Sequence, residues 1–353
     1  MFKIGNLNLS SPFILAPLAG ISDMPFRLVN RSMGCELAFI EMISARALVC
    51  KNKKTEAMLS VGTDEKPLGI QLLGSDPLIM RQALKIVERY RFDIININAA
   101  CPVSKVTVRG EGAGLLKDPV KLQKLLKAVV PGTVAPVTIK IRTGWDGLSI
   151  NAKDIALRAR DAGIQGIFIH GRTKAQGYGG KVDYRTIGEV KDALDIPVIA
   201  SGDILSPVLA KKMFDETGCD GIVIARGALG NPWIFRETAA FLNTGAVQQH
   251  PSHYEVRSTM LSHLRLCTDY YGGRVGTIIF RKFFAWYTRG LPETRPLKGK
   301  AFRAETPEQM KAIIEEATSS FSSLFPHNPW PDPKVLRPSP LSAASSFCRF
   351  GEP

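Results

Sequence analysis

The chain has 353 residues, of which 45% are apolar, so it can bury one large core and a smaller appendage. No apolar run is long enough to span a membrane, and no signal-peptide pattern opens the chain, so we expect a soluble, cytoplasmic protein. The six cysteines are scattered without a CxxC pair, so we expect no metal centre. We also expect a monomer. The formal net charge of +14 indicates a polyanionic partner, because phosphates attract Lys and Arg with release of counterions, although general solubility is the alternative explanation.

Short apolar runs bounded by turn residues alternate with helix-like segments through most of the chain. We predict strands at Phe13–Ala16, Glu36–Glu41, Gly69–Leu72, Asp93–Asn98, Val137–Ile141, Gly166–His170, Val198–Ala200 and Gly221–Ala225. The helix-like segments include Asp76–Arg91, Val120–Val130, Ala152–Ala162, Tyr184–Ala193 and Pro207–Glu216. This alternation predicts an α/β fold in which eight parallel strands close into a (β/α)8 TIM barrel, rather than an open sheet.

Polar residues gather where these strands end. They are Gln71, Asn98, Lys140, Arg142, His170, Ser201, Gly202, Asp203 and Arg226. In barrel enzymes the active site lies at the carboxyl ends of the strands, so we expect these side chains to form one site.

Cys101 heads a glycine-rich loop directly after the fourth strand and precedes Pro102, which restricts the backbone. A lone cysteine is ordinarily a small buried hydrophobe, but this one stands at the expected active-site rim. An unperturbed thiol has a pKa of about 8.5 and is mostly protonated at neutral pH. Cys101 is therefore a candidate proton donor.

Two turns after the seventh and eighth strands have the composition of phosphate-binding loops. They are Ser201-Gly202-Asp203 and Ala225-Arg226-Gly227. In this fold those two loops frequently bind a phosphate through backbone N–H groups, although glycines also simply close tight turns. With a lysine in strand five and a glutamine in strand three, they favour flavin mononucleotide (FMN).

After about Gly245 the strand pattern stops, and Tyr254–Tyr271, Val275–Thr288 and Pro307–Phe321 read as helices. We predict a catalytic barrel over residues 1–245, a small all-α helical bundle domain over 246–325, and a disordered tail rich in proline and serine over 326–353. Between Arg274 and Arg303 eight basic residues face one acid, Glu293. Because local acids are so few, we expect the basic residues, among them Arg281 and Lys282, to contact phosphates.

The ordered motifs resemble the tRNA-dihydrouridine synthases, and most closely their bacterial B-type branch. The resemblance covers about residues 4–320. It is carried by Ala16-Pro17-Leu18-Ala19-Gly20, Asp23-Met24-Pro25-Phe26-Arg27, Asn98-x-x-Cys101-Pro102, Leu115-Leu116-Lys117-Asp118-Pro119, Lys140-x-Arg142-x-Gly144-Trp145, His170-Gly171-Arg172-Thr173 and Gly202-Asp203-Ile204.

The resemblance implies a noncovalent FMN, NADPH or alternatively NADH as reductant, and a uridine of the tRNA D-loop as substrate. In that family pattern the uracil leaves its stack, and Cys101 protonates it. Asn98, Arg142 and Lys105 would bind the substrate together with Arg281 and Lys282. The flavin would be held by Ala16, Pro17, Leu18, Gln71, Lys140, His170, Ser201, Gly202, Asp203, Ala225 and Arg226.

Four positions depart from the family pattern. Ala100 and Ala225 replace glycines, Ser201 replaces an asparagine, and Phe283 replaces a histidine. Ala100 requires a negative φ, and the methyl group of Ala225 would crowd the backbone approach to a phosphate. Loss of the imidazole at Phe283 would change RNA contacts but not the reaction.

Two other functions fit parts of the sequence. An FMN barrel that reduces or oxidises a small pyrimidine would explain the flavin loops and the cysteine, but not the basic helical region. A non-catalytic RNA-binding protein on a decayed barrel would explain the charge, but not the joint presence of Cys101, Lys140, Arg142 and His170.

Overall fold

The computed structural model describes residues 2–62, 65–246, 251–290 and 294–324. Its strands are β1 Phe2–Ile4, β2 Leu7–Leu9, β3 Phe13–Leu15, β4 Leu37–Phe39, β5 Ile43–Ser44, β6 Leu68–Leu73, β7 Ile94–Asn98, β8 Val137–Arg142, β9 Ile167–His170, β10 Val198–Ser201 and β11 Gly221–Ile224. Its α-helices are α1 Met24–Ser32, α2 Ala45–Val49, α3 Lys53–Ala57, α4 Pro77–Val87, α5 Ser104–Thr107, α6 Pro119–Val129, α7 Ala152–Asp161, α8 Tyr184–Asp192, α9 Pro207–Thr217, α10 Ile234–Thr244, α11 His253–Tyr271, α12 Gly273–Tyr287, α13 Thr294–Ala301 and α14 Pro307–Leu324. Four 3-10 helices lie at Glu88–Tyr90, Gly112–Lys117, Val130–Gly132 and Arg226–Ala228.

Eight parallel strands close into a cylinder. The hydrogen-bonded order runs β3, β4, β6, β7, β8, β9, β10 and β11, and β11 pairs again with β3. The short β5 pairs with β6 beyond the end of β4. This closed parallel barrel with outer helices is the (β/α)8 TIM barrel, so the predicted fold is confirmed.

The helices begin where sequence signals place them. An Asp or Ser side chain caps the first turn of several barrel helices, and proline follows in the first helical position. Such pairs are Asp76-Pro77, Asp118-Pro119 and Ser206-Pro207. These side chains accept backbone N–H groups that have no partner inside the helix, so they define where each helix starts.

Apolar side chains fill two layers. One core lies between the strands and the surrounding helices, and a second fills the barrel interior with residues such as Ile14, Phe168 and Val223. The antiparallel hairpin of β1 and β2 contributes Ile4 and Leu9 to the interior core. The hairpin thus covers the end of the barrel opposite the strand carboxyl ends.

The region after β11 is helical. Helices α11, α12 and α14 pack on one another, and α11 also packs on α1 of the barrel. Phe283 of α12 is buried and stacks on Phe26 of α1 with ring centroids 5.6 Å apart. None of the described helices combines the length and the apolar character that crossing a bilayer requires.

The eight predicted strands all occur, with ends that differ by at most two residues. The hairpin and the helices α1, α2, α3, α5, α10 and α13 had no prediction. The boundary at residue 245 stays a prediction: Gly245 ends α10 in a left-handed conformation, and residues 247–250 lie outside the described ranges. The predicted tail over 326–353 also lies outside them.

Candidate active site

Strand register brings the predicted polar residues together at the carboxyl end of the barrel. Asn98 lies opposite Lys140 in the β7–β8 pair. Arg142 lies opposite His170 in the β8–β9 pair, and His170 lies opposite Ser201 in the β9–β10 pair. Neighbouring strands are about 4.8 Å apart, so these side chains share one mouth.

The turn after β7 is held by the Asn98 side chain. Asn98 Oδ1 accepts hydrogen bonds from the backbone N–H groups of Ala100 and Cys101, both at 2.9 Å. Its Nδ2 donates to Gln71 Oε1 at 2.7 Å and to Met42 Sδ at 3.0 Å. In this structure the Asn98 amide fixes the turn that presents Cys101, and its contact with a substrate stays a prediction.

Cys101 is partly exposed at this mouth. Gly112 packs so closely that a Cβ there would lie 2.9 Å from Cys101 Cβ. Burial raises the pKa of the Cys101 thiol, and the Val103 N–H, Arg142 and Lys140 only partly oppose this rise. The thiol is therefore protonated at neutral pH, which suits the predicted proton donor.

Arg142 connects the Cys101 turn to the loop after β9. Its Nε donates to Ala100 O at 2.7 Å, and its Nη1 donates to Thr173 O at 2.9 Å and to Gly177 O at 2.8 Å. The side chain is buried. Backbone carbonyls satisfy the guanidinium without cancelling its charge, so Arg142 brings net positive charge to the mouth.

Lys140 adds a second positive charge. Its ammonium makes no hydrogen bond or ion pair with any side chain in the described ranges. Burial and the nearby Arg142 lower the pKa of Lys140 to about 8, with Cys101 opposing. Lys140 is thus still mostly protonated at pH 7 and lacks an anionic partner among the described residues.

His170 carries a buried nitrogen that has no partner in the described part of the chain. Its Nδ1 lies 3.3 Å from Ser201 Oγ, whereas its Nε2 is buried and unpaired. Burial, together with Arg142 and Lys140, lowers the pKa of His170 well below its ordinary value. The imidazole is therefore neutral, and its Nε2 is free to form a hydrogen bond with a bound molecule.

The two expected phosphate loops are joined by one carboxylate. Asp203, which has a φ of 48°, accepts hydrogen bonds from Arg226 Nη2 at 2.6 Å and from Arg172 Nη1 at 3.1 Å. Arg172 Nη2 also contacts Asp203 and donates to Gly180 O at 2.6 Å. Two guanidinium groups share one carboxylate, so this cluster also keeps a net positive charge.

The structure answers the question that the Ala100 departure raises. Ala100 has no positive φ, so its methyl group is tolerated. Ala225 has a φ of −117° and a ψ of −94°, and crowding of a phosphate by its methyl group stays a prediction. A close approach occurs at Gly227, where a Cβ would collide with the Ile204 carbonyl oxygen of the neighbouring loop. The spacing of the two loops therefore depends on Gly227.

The other predicted flavin contacts lie around the same mouth. Ala16 follows β3, and its N–H bonds Ile224 O at 2.9 Å; Pro17 and Leu18 continue onto the rim. Gln71 is buried and also donates to Asn96 Oδ1 at 2.8 Å. Lys105 is exposed on α5, in the loop that follows Cys101.

Comparison with known proteins agrees with this geometry. A family model described as "Dihydrouridine synthase (Dus)" matches residues 14–322. The chain belongs to the dihydrouridine synthase family. It is 38% identical over 314 residues to "tRNA-dihydrouridine synthase B" of Xanthomonas axonopodis pv. citri, covering 89% of this chain and 95% of that one. It is 40% identical over 302 residues to the protein of the same name from Pseudomonas putida, covering 86% and 88%.

Solved structures support the fold alone. The 6-hydroxypseudooxynicotine amine oxidase of Pseudomonas geniculata N1 aligns with a TM-score of 0.55 at 14% identity, covering 74% of this chain and 51% of that one. Histamine dehydrogenase from Rhizobium sp. 4-9 aligns with a TM-score of 0.53 at 12% identity, covering 75% and 50%. The chain thus spans about half the length of these two proteins.

The sequence analysis missed one residue at this mouth, Tyr178. Its ring lies 5.5 Å from Arg142 Cζ and 5.7 Å from Arg226 Cζ, and it meets the His170 ring edge-on at 6.4 Å. The aromatic residue in the glycine-rich stretch Gly177–Gly180 was the available signal. Tyr178 partly covers the mouth and lies near the two arginines and His170 of the site.

The basic stretch of the helical region is better paired than its sequence indicates. The expectation that its charges lack partners is wrong for Arg274 and Lys300, which pair with Glu305 at 3.1 Å and Glu316 at 2.8 Å. Both acids follow the stretch in sequence.

The two predicted RNA contacts in this stretch also bond within the protein. Arg281 Nη2 donates to Ala304 O at 2.6 Å, and Lys282 Nζ donates to Gly20 O at 2.5 Å. Their contact with RNA stays a prediction. Phe283 lies in the core between α12 and α1, so the histidine-to-phenylalanine departure changes packing rather than an exposed RNA contact.

Proposed function

We propose that this chain is a tRNA-dihydrouridine synthase that reduces the C5–C6 double bond of a D-loop uridine to 5,6-dihydrouridine, with noncovalent FMN and with NADPH as electron donor. The observation that carries the proposal is the Cys101 thiol. Its raised pKa keeps it protonated, and it stands at the barrel mouth beside two cations, Lys140 and Arg142, that have no carboxylate partner within the described ranges.

The residues present fit FMN. His170 Nε2 is buried without a partner, as expected of a nitrogen that bonds a flavin ring. Lys140 is a cation without an anion, which suits negative charge on the reduced ring. The loops Ser201–Asp203 and Ala225–Gly227 approach each other closely and carry Arg226, which suits a phosphate.

The mechanism assigns a distinct task to each side chain. When bound, FMN carries the reducing electrons from the nicotinamide to the pyrimidine. The Cys101 Sγ–H donates the proton to C5 of the uracil. Arg142 stabilises the negative charge that develops on the uracil carbonyl oxygen, and Lys140 would balance negative charge on the reduced cofactor, since preorganised cations act strongly where water is excluded.

The thiolate left after proton transfer lies among opposing influences. The Val103 N–H and the charges of Arg142 and Lys140 favour the thiolate, although burial outweighs them. Because burial raises the pKa of Cys101, the thiolate regains a proton readily, and the partial exposure of Cys101 lets water supply that proton. The side chain is thereby reset for the next turnover.

Transfer RNA as the substrate is supported by the names of the relatives and by the net charge of +14. A base inside a helix cannot reach the bottom of a barrel mouth, so the uridine must leave its stack, which is easiest in a loop. The D-loop provides unpaired uridines, and cationic residues around the mouth suit the flanking phosphates.

The decisive experiment is mass spectrometry of tRNA from cells lacking the gene and from the same cells after re-expression. One D-loop dihydrouridine should disappear and then return, and re-expression of Cys101→Ala should leave it largely absent. An unchanged set of dihydrouridines would refute the proposal. Heat release of the cofactor from purified protein should yield FMN, and recovery of FAD, or no flavin after reconstitution, would refute the cofactor assignment.

A further inference from the structure

Two lysines and one tryptophan form a cluster on the barrel rim outside the site described above. Lys117 Nζ lies 3.8 Å from the centroid of the Trp145 ring, and Lys174 Nζ lies 4.4 Å from the same centroid. The two ammonium groups are therefore within about 8 Å of each other. An aromatic face attracts a cation through its quadrupole, and tryptophan does so most strongly, so one indole holds both charges in place.

Backbone hydrogen bonds fix the three loops that carry this lysine–tryptophan cluster. Lys174 N–H bonds Gly144 O, and Ala175 N–H bonds Trp145 O, both at 2.9 Å. Asn151 Nδ2 donates to Leu116 O at 2.8 Å, which ties the residue before Lys117 to the loop that contains Trp145. These bonds fix the backbone positions from which the three side chains meet.

No anion in the described ranges neutralises the cluster. The nearest acids in sequence are Asp118 and Asp146, and each is engaged elsewhere. Asp118 accepts the Lys121 N–H at 2.9 Å as a helix cap, and Asp146 accepts the Leu148 N–H at 3.0 Å. Neither lysine of the cluster lies within 4.0 Å of a carboxylate oxygen in the part of the chain that the structure describes. Two like charges held together without a counterion favour an external anion.

The cluster adjoins the candidate active site on two sides. Lys117 ends the 3-10 helix Gly112–Lys117, whose first residue packs on Cys101. At about 2 Å of rise per residue, Lys117 lies on the order of 10 Å from that contact. On the other side, Arg142 Nη1 bonds Thr173 O at 2.9 Å, one residue before Lys174. These distances suit phosphates one or two nucleotides from a base at Cys101.

We propose that Lys117, Trp145 and Lys174 form a phosphate clamp that holds two backbone phosphates of the tRNA beside the flipped uridine. This inference rests on the proposed function. The indole supports the two ammonium groups, and these bind the polyanion as point charges. The clamp carries no sequence information and fixes the position of the strand relative to Cys101.

The clamp is tested by binding of unmodified tRNA to the flavin-loaded protein across a range of salt concentrations. Each phosphate contact adds about 0.7–0.9 to the slope of log affinity against log salt, so Lys117→Ala with Lys174→Ala should flatten the slope by about 1.4–1.8. At 0.1 M salt this corresponds to an affinity loss of about 25- to 60-fold, which should vanish near 1 M. The double variant Lys117→Arg with Lys174→Arg should retain the slope, because it retains both charges.

A matched control lies on the outer face of α9. Lys211 and Lys212 are neighbouring lysines paired with Asp215 at 2.7 Å and Glu216 at 3.6 Å, and Lys212 also lies over the Tyr184 ring at 5.2 Å. Replacing both with Ala should leave the slope unchanged, because their charges are already neutralised. An equal slope change in this control would mean that the effect reflects net charge, and it would overturn the clamp.

Failure of the clamp is distinguishable from failure of the proposed function. If wild-type protein forms dihydrouridine but the Lys117→Ala, Lys174→Ala variant binds tRNA with the wild-type slope, the clamp is refuted and the function stands. If wild-type protein forms no dihydrouridine and does not bind tRNA, both the clamp and the proposed function are refuted. Trp145→Leu retains both lysines without their support and should also weaken binding, and unchanged affinity there would remove the ring from the proposal. Thermal melting and flavin absorbance of each variant report whether the barrel is intact.

Discussion

Replacing Cys101 tests the chemistry of the site most directly. Cys101→Ala removes the proposed acid, and Cys101→Ser retains a side chain of similar size with a much weaker acid. The turn is shaped by hydrogen bonds that the backbone N–H groups of Ala100 and Cys101 donate to Asn98 Oδ1, and neither substitution removes these bonds. General acid catalysis contributes about 10²–10⁴-fold, equivalent to about 3–5 kcal/mol of barrier, and we expect a loss in this range for Cys101→Ala.

Two half-reactions separate this loss from cofactor effects. Reduction of the bound flavin by NADPH does not need the thiol and should proceed at a near-normal rate in both variants. Reoxidation of the reduced enzyme by unmodified tRNA should be slow, with tRNA affinity unchanged. Both rates can be followed by flavin absorbance in a stopped-flow instrument. Normal tRNA-dependent reoxidation in Cys101→Ala would refute the role of the thiol.

The pH dependence adds a second test of the same residue. A general acid acts in its protonated form, so its contribution is lost as pH rises through its pKa. Because burial raises the pKa of Cys101, the part of the reoxidation rate that depends on Cys101 should persist beyond about pH 8.5, where an ordinary thiol is half ionised. Lys140, with a pKa of about 8, loses its positive charge at a lower pH than Cys101 loses its proton, and this loss of charge gives a separate fall in the rate. A fall near pH 8 that remains in Cys101→Ala therefore belongs to Lys140.

Three further predictions concern stability and the cofactor loops. Arg27 and Glu65 form a buried bidentate ion pair at 2.7 Å, so Arg27→Ala should lower the free energy of unfolding in urea by about 3–5 kcal/mol, and a smaller loss than about 1 kcal/mol would contradict this. Burial raises the pKa of Glu237 to about 7, so ionisation opposes folding and stability should fall by up to about 3 kcal/mol between pH 4.5 and 7; Glu237→Gln should abolish that part of the slope. Gly227→Ala should reduce flavin content without changing the circular dichroism spectrum, whereas Gly147→Ala, where a Cβ meets nothing within 4 Å, should change neither.

The barrel was predictable because its strands are buried on both faces. Such strands need continuous apolar runs bounded by turns, and Gly221–Ile224 shows both features. The hairpin Phe2–Ile4 with Leu7–Leu9 was not predictable in the same way, since three-residue strands have no clear period. Helix α13 was missed because Pro296 and a glycine interrupt its helical pattern.

The candidate site was predictable only as far as position in a strand determines it. Lys140, Arg142 and His170 end strands, so barrel topology alone predicted that they meet. The partners of Arg281 and Lys282 could not be read from the sequence. Lys282 bonds a carbonyl 262 residues away, and Arg281 bonds one 23 residues away. Contacts of that kind follow from the docking of α12, which no local pattern encodes.

The choice of partners at the mouth explains why the site remains positive. Arg142 bonds carbonyl oxygens, and Arg172 bonds the Gly180 carbonyl as well as Asp203. A carbonyl satisfies a guanidinium N–H without adding a unit negative charge, so these arginines are held rigidly while their potential persists. That potential contributes to the lowered pKa values of Lys140 and His170. An acid placed opposite Arg142 would stabilise the free protein, but it would also neutralise the positive potential that favours an anionic cofactor and an RNA strand. The positive potential at this mouth therefore serves binding rather than folding.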